Sequence, residues 1–349
     1  ATLSNAAVRP RPPARPRMTC SLPDDPAWSA WLEARARLDA GATALVFARR
    51  HGAWSCTAGD AADTDGAEQV LLVEVVAGAI RARPPAAAAV ASCRVERDGL
   101  VHVEAANGRA IDPGFVASAR VYLPVLLGAT AARRAGRSFV VGHVTQTLDG
   151  RIACENGQSQ WIGNDADLHH AHRMRALLDG VLVGATTALR DDPQLTVRHV
   201  QGRDPRRVVL SGSGRVLRDG RALKLMQEPG CEVVVAVRPD APVDTAAHVT
   251  ALPGVDARLA PAAVLGALRA RGLSLLYLEG GAGTLSSFLQ AGCIDVLQVH
   301  IAPIVLGSGV PSVCLPPIDH VREGLRLRMD HVVLDGHVLL TCVAERTAP

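Results

Sequence analysis

From Ser138 onward the chain alternates short runs rich in Val, Ile and Leu with longer segments of helical spacing, a period that few folds accept. Residues 139–145, 181–184, 207–210, 232–237, 273–278 and 296–301 read as strands, and 165–178, 261–270 and 284–290 as helices. The strand runs are almost wholly apolar, as befits strands covered on both faces, so a largely parallel sheet with helices on either side is expected. Residues 331–343 break the period: Asp335-Gly336 stands between two β-rich runs, a hairpin signal. The expected class is α/β, a mostly parallel sheet with flanking helices and an antiparallel C-terminal hairpin.

With 349 residues the chain exceeds what one core usually serves, since cores stop growing near ~250 residues. A smaller α/β or α+β domain is therefore expected over 19–137. Within it, residues 25–37 have helical spacing, with Trp28, Trp31, Leu32 and Leu38 supplying the apolar side, and 44–49, 70–76 and 100–104 look like strands. Residues 1–18 repeat Pro and Arg and cannot bury apolar surface, so they are expected to be a disordered arm. The polar, basic stretch 130–137 marks the boundary, leaving 138–349 as the second domain.

A net charge of +3, with Arg spread along the chain, argues against a nucleic-acid groove and for small anionic ligands. The eight cysteines form no C-x-x-C pair, which fits neither a zinc site nor a secreted disulfide framework. No signal peptide is recognised and no run looks long enough to span a bilayer, so a cytoplasmic location is expected. His102-Val-Glu104 has the H-x-E form of zinc deaminases but no P-C-x-x-C follows, and His169, His170 and His172 lack H-E-x-x-H spacing, so no metal is expected.

Leu276-Tyr-Leu-Glu-Gly-Gly-Ala-Gly-Thr284 runs from a strand through a glycine cluster into a helix. Such a turn either cradles a phosphate on free amides at the helix start or is simply tight, and spacing alone does not choose. The same holds for Ser211-Gly-Ser-Gly-Arg215, whose Ser and Arg side chains suit the 2′-phosphate of NADP or an ordinary loop. Arg175 falls in line with Leu168, Ala171 and Leu178 on an inward helix face, where a guanidinium needs an anion unless it snorkels out or meets a nearby carboxylate. Asp191, Asp192 and Arg198 lie in a polar segment that suits acid, acceptor and phosphate-binding roles or plain solvated surface.

Taken in order, Thr145-Gln-Thr-Leu-Asp-Gly-Arg-Ile-Ala153, Gly157-Gln-Ser-Gln-Trp-Ile162, Arg175, Val183-Gly-Ala-Thr-Thr187, Asp191-Asp-Pro-Gln-Leu-Thr-Val-Arg198, Glu279-Gly-Gly281 and Ile301-Ala-Pro-Ile-Val-Leu-Gly307 resemble the reductase domain of the riboflavin-biosynthesis deaminase-reductases. The resemblance covers 138–343. It implies a dihydrofolate-reductase-like fold that binds NADPH across the carboxyl ends of its strands. Carried over by position, it implies that Thr145, Trp161, Thr187 and Asp191 line the cofactor. Gly281, Ala282, Gly283, Thr284, Leu285, Ser286 and Ser287 would clasp its phosphates, while Ser211 is a cofactor candidate from its own loop and not from the resemblance. Ser159, Arg175, Leu195, Arg198 and Glu279 would hold a small phosphorylated pyrimidine.

The implied reaction reduces 5-amino-6-(5-phosphoribosylamino)uracil to its ribitylamino counterpart by hydride transfer to C1′ of the ring-opened imine. Asp191 is then the candidate for orienting the nicotinamide amide or relaying a proton. A homodimer is implied as well. Missing zinc motifs in the first domain mean that deamination is not expected. The alternatives are a reductase of a pterin or dihydrofolate-like heterocycle on the same fold and a non-catalytic NADPH- or nucleotide-binding regulator.

Overall fold

The computed structural model describes residues 27–58, 64, 67–74, 89–95, 100–105, 109–218, 223–227, 232–238, 249–252 and 259–344. The arm expected over 1–18 lies outside them. The first module comprises α1 (Trp28–Asp39), β1 (Ala44–Arg50), β2 (Ala53–Ala58), β3 (Gln69–Glu74), β4 (Ala89–Val95), β5 (Val101–Ala105) and α2 (Pro113–Arg134). Its five strands form one mixed sheet in the order β2-β1-β3-β4-β5, parallel only between β3 and β4. His102 and Glu104 are residues of β5.

The helix α2 is the largest departure from expectation. It begins at an N-cap, where the Asp112 carboxylate accepts from the Phe115 amide at 2.9 Å and Pro113 occupies the first turn. The stretch 130–134, assigned above to a domain boundary, is its last turn, where Arg133 and Arg134 suit the negative end of the helix dipole. No amphipathic stripe announced it, because it is apolar nearly all round and packed on both sides. Contrary to the expectation of no such run, it is long and apolar enough to cross a membrane, with a mean hydropathy of 1.5 over its best window. Here it is a core helix, contacting β5, β6 and β15.

The second module contains β6 (Phe139–Thr147), β7 (Arg151–Ala153), α3 (Asp165–Leu177), β8 (Gly180–Gly184), α4 (Ala185–Asp191), β9 (Arg206–Leu210), α5 (Arg215–Arg218), α6 (Lys224–Gln227), β10 (Val233–Ala236), β11 (Val249–Leu252), α7 (Pro261–Ala270), β12 (Leu275–Leu278), α8 (Ala282–Gln290), β13 (Val296–Ala302), β14 (Val310–Pro311), β15 (Leu327–Leu334) and β16 (His337–Ala344). Its main sheet has the order β11-β10-β9-β8-β12-β6-β13-β16-β15. Pairing is parallel from β11 to β13 and antiparallel through the terminal hairpin, as expected. Asp335 and Gly336 both take positive φ, +48° and +83°, the conformation an Asp-Gly hairpin turn requires.

One apolar cluster runs through both modules, joining Trp31, Phe47, Phe115 and Tyr122 to Phe139, Met174 and Tyr277. Trp54 and Phe115 stack within it at 3.6 Å between centroids. Polar ties reinforce the joint: the Trp28 indole donates to the Gln201 carbonyl at 2.8 Å, and Asp179 accepts from Arg133 at 2.7 Å and from the Leu275 amide at 3.0 Å.

Candidate active site

The carboxyl ends of β6, β8, β9 and β12 open onto a crevice, the place where open α/β sheets bind ligands. Two cavities occupy it. The first, about 540 Å³, lies between the turn after β12, α4 and the Ser211–Arg215 loop. The second, about 730 Å³, is walled by the ends of β6 and β12, the start of α3 and the Trp161 segment. Ile152, Ser159, Thr187, Asp191 and Gly281 line both and so form the partition between them.

The glycine turn owes its shape to close packing. A Cβ on Gly184 would lie 2.5 Å from the Thr284 hydroxyl, one on Gly280 2.9 Å from the Thr284 Cβ, and one on Gly281 3.1 Å from the Thr187 hydroxyl. That hydroxyl accepts from the Gly281 amide at 3.2 Å and pins the turn to α4. The Thr284 and Leu285 amides are spent on the Gly281 carbonyl. Of the predicted phosphate clasp, Gly281, Ala282, Gly283 and Thr284 line the first cavity. The structure does not bring the other three there, because the helix turns them away: Leu285 is buried, Ser287 is exposed, and the Ser286 hydroxyl donates to Ala282 and accepts from the Cys314 amide.

Arg175 finds its anion inside the protein. Its Nε and one terminal nitrogen each donate to Glu279 at 2.6 Å, and the other terminal nitrogen donates to the Thr196 carbonyl at 3.0 Å. Burial pushes its pKa down, and the Glu279 charge more than reverses this. Glu279 still lines the second cavity, whereas Arg175, Leu195 and Arg198 line neither. Leu195 is buried with φ +56°, and the exposed Arg198 donates to the Thr196 hydroxyl at 3.1 Å while its amide is held by His172. Burial and the neighbouring charge of Arg175 push the Arg198 pKa down, so the two guanidiniums sense one another.

Ser159 lines both cavities, whereas Trp161, expected to line the cofactor together with Thr145, lines only the second and is 81% exposed. Asp191 stands on the partition; burial pushes its carboxyl pKa up, partly offset by Arg190. Ser211 lines the first cavity but is buried, its hydroxyl accepting from the Val216 amide; Ser213 and Arg215 of the same loop also line it, with the Arg215 guanidinium donating to the Thr186 hydroxyl at 2.5 Å. Thr145 lines the second cavity and donates to Asp167 at 2.6 Å. Distant motifs meet behind it, where the Asp149 carboxylate accepts from the Leu306 and Gly307 amides.

Asp167 and His143, which wall the second cavity beside Thr145, were missed by sequence reasoning. Asp167 carries no signal in the sequence beyond an acidic residue in the first turn of a helix, where the helix dipole favours one anyway. His143 interrupts the apolar run of β6, and a lone polar residue in a strand covered on both faces was the available signal. Among the described residues no cluster suits a metal ion.

A mostly parallel sheet bearing two adjoining cavities at its carboxyl edge, with a glycine-rich turn on their shared wall, defines an α/β domain of the ligand-crevice type. Residues 138–341 match the RibD C-terminal domain, and the chain belongs to that family. Relatives include the riboflavin biosynthesis protein RibD of Mycobacterium tuberculosis, 32% identical over 61% of this chain and 56% of that protein. The 2,5-diamino-6-ribosylamino-4(3H)-pyrimidinone 5′-phosphate reductase of Methanothermobacter thermautotrophicus is 31% identical over 58% of this chain and 96% of its own length. The chain thus spans little more than half of the RibD relative.

In structure it is similar to Acinetobacter baumannii RibD, with TM-score 0.58 and 21% identity over 92% of this chain and 98% of the other. The deaminase/reductase of Thermotoga maritima gives TM-score 0.57 and 20% identity over 87% and 92%. These likenesses of fold extend well beyond 138–341 into the N-terminal module.

Proposed function

We propose that the chain reduces 5-amino-6-(5-phosphoribosylamino)uracil to its ribitylamino counterpart with NADPH. The observation that carries this reading is the shared partition: Thr187, Asp191 and Gly281 line both cavities, so a dinucleotide held in the first would have these residues between it and a substrate held in the second. When bound, the cofactor supplies a hydride from its C4. The protein's part would be to hold donor and acceptor carbons at the ~3–3.5 Å that transfer requires and to exclude water.

The Ala282 and Gly283 amides at the head of α8 suit the pyrophosphate. Ser213 and Arg215 suit the 2′-phosphate, which would favour NADPH over NADH. Glu279, held rigid by the Arg175 fork, keeps carboxylate lone pairs for donors on the pyrimidine ring. Arg198, the more exposed guanidinium, suits the ribose 5-phosphate, and Asp191 suits the nicotinamide amide. The edge strand β15 exposes Met329 and Val333 and is the surface through which a second copy would pair.

A second reading retains the reaction but takes the 2,5-diamino-pyrimidinone form of the substrate, favoured by the name of the Methanothermobacter relative. Purified protein mixed with NADPH and each pyrimidine in turn should lose reduced-nicotinamide absorbance with at least one. No oxidation with either, alongside oxidation with a dihydropterin, would overturn both readings.

A further inference from the structure

A line of buried polar side chains runs from the second cavity to the protein surface. His143 on β6 and Asp167 on α3 form part of the cavity wall, with His143 Nε2 3.3 Å from Asp167 Oδ1. The same oxygen lies 3.2 Å from Nδ1 of His300 on β13, whose Nε2 is 2.8 Å from Nδ1 of His337 on β16. The Thr145 hydroxyl occupies Asp167 Oδ2, leaving Oδ1 to face both histidines. His300 is fully buried and His337 half-buried, and neither lines either of the two cavities.

Burying a carboxylate between two imidazoles is costly and adds little to stability that an apolar core would not supply. A relay suits such an arrangement. An imidazole can accept a proton on one nitrogen and release one from the other, and Asp167 Oδ1 lies within 3.3 Å of two such nitrogens, none of the three atoms being hydrogen-bonded elsewhere. We propose that His337, His300, Asp167 and His143 form a proton relay that carries the proton consumed in each reduction from solvent to the substrate cavity.

This rests on the reaction assigned above, which fixes the demand. Ring opening breaks the C1′–O4′ bond; the exocyclic N–H proton passes to O4′ and the C1′=N imine forms. The hydride pair then adds to C1′, and the π electrons move to nitrogen, which must take one proton from outside. His143 stands at the inner end of the line. His300 and His337 act through their neighbours and are positioning residues.

The charge state fits a relay. Burial pushes Asp167 up, but His143 and then His300 and Thr145 more than reverse this and hold it ionised. Burial lowers His300 to about 4, against the pull of Asp167, so at neutral pH it is an uncharged carrier. The other titratable groups turned toward the line stay neutral: His170 of α3, lowered to about 3 chiefly by burial, and Tyr277 of β12, raised by burial.

The test is steady-state turnover of the full chain and of His337→Ala across pH, with saturating NADPH and pyrimidine. The relay requires kcat of the variant to fall roughly tenfold at alkaline pH, less than the ~10²–10⁴ that a group in direct contact supplies. KM should be unchanged, the solvent deuterium isotope effect should rise, and added imidazole should restore the rate. His300→Gln, retaining a polar group of similar length, should give the same pH-dependent loss at an unchanged melting temperature. Turnover by the unsubstituted protein together with unaltered kcat and pH profile in His337→Ala overturns the relay alone, as does a loss that imidazole leaves in place. No turnover by the unsubstituted protein with either pyrimidine overturns the assigned reaction, and the relay with it.

Discussion

At the scale of single residues, the pairing of Arg175 with Glu279 separates two arginines that look equivalent in sequence. Arg198→Ala should raise KM for a phosphorylated substrate roughly 10- to 150-fold, the equivalent of ~1.5–3 kcal/mol for a charge-assisted hydrogen bond, and leave a dephosphorylated analogue unaffected. Arg175→Ala should impair both substrates alike, because its loss leaves the Glu279 carboxylate unpaired. A comparison of the two variants on both substrates checks this, and phosphate-selective loss in Arg175→Ala would contradict it. Asp191→Asn should raise KM for NADPH and lower kcat while keeping the shape of the pH profile, since the proton is assigned another route. That the chain pairs Arg175 internally was not legible in sequence: its spacing showed an inward guanidinium, but Glu279 is 104 residues away and only the parallel pairing of β8 with β12 brings it near.

The elements of the second module were legible because strands covered on both faces must be apolar and the helices between them keep one apolar stripe. The helix α2 was not, since a helix buried all round has no stripe to read. Nor did the sequence show where α8 would stop facing the cavity. Its first turn points there, and its second is committed to the core and to Cys314. Close approach at this turn is testable. Gly184→Ala places a Cβ 2.5 Å from the Thr284 hydroxyl and should cost ~1–3 kcal/mol of stability, with weaker dinucleotide binding. Adding Thr284→Ala should restore most of the stability, and denaturant titration of the double-mutant cycle measures the coupling.

For the whole molecule, the shared core implies that both modules unfold together. Asp179 is buried at their joint, with Arg133 and Arg35 of the first module beside it, so Asp179→Ala should cost ~3–5 kcal/mol and lower a single thermal transition. A separate early transition of the first module would contradict a shared core. Stability should also depend on pH in a definite direction. His300 and His170 have pKa values lowered from 6.5 to about 4 and about 3, chiefly by burial. Between 6.5 and those values the unfolded chain binds more protons than the native one, so stability is full above pH 6.5 and declines as pH falls toward 4 and 3. Asp167, held low once burial is outweighed by its histidine contacts, adds a loss of the same sign at still lower pH. Urea titration at successive pH values checks the slope.

The alternation of strand and helix, the terminal hairpin and the order of the motifs along the chain are all legible without a structure, because they depend on local periodicity and turn chemistry. Which motif residues face the cavities, the neutralisation of Arg175 from within, and the meeting of Thr145, Asp167 and three histidines from separate strands at and behind the wall of the second cavity emerge from the folded chain alone. Those are contacts between residues far apart in sequence. Side chains from β6, α3, β13 and β16 come together only when the sheet order places those elements side by side, and no periodicity along the chain records that order.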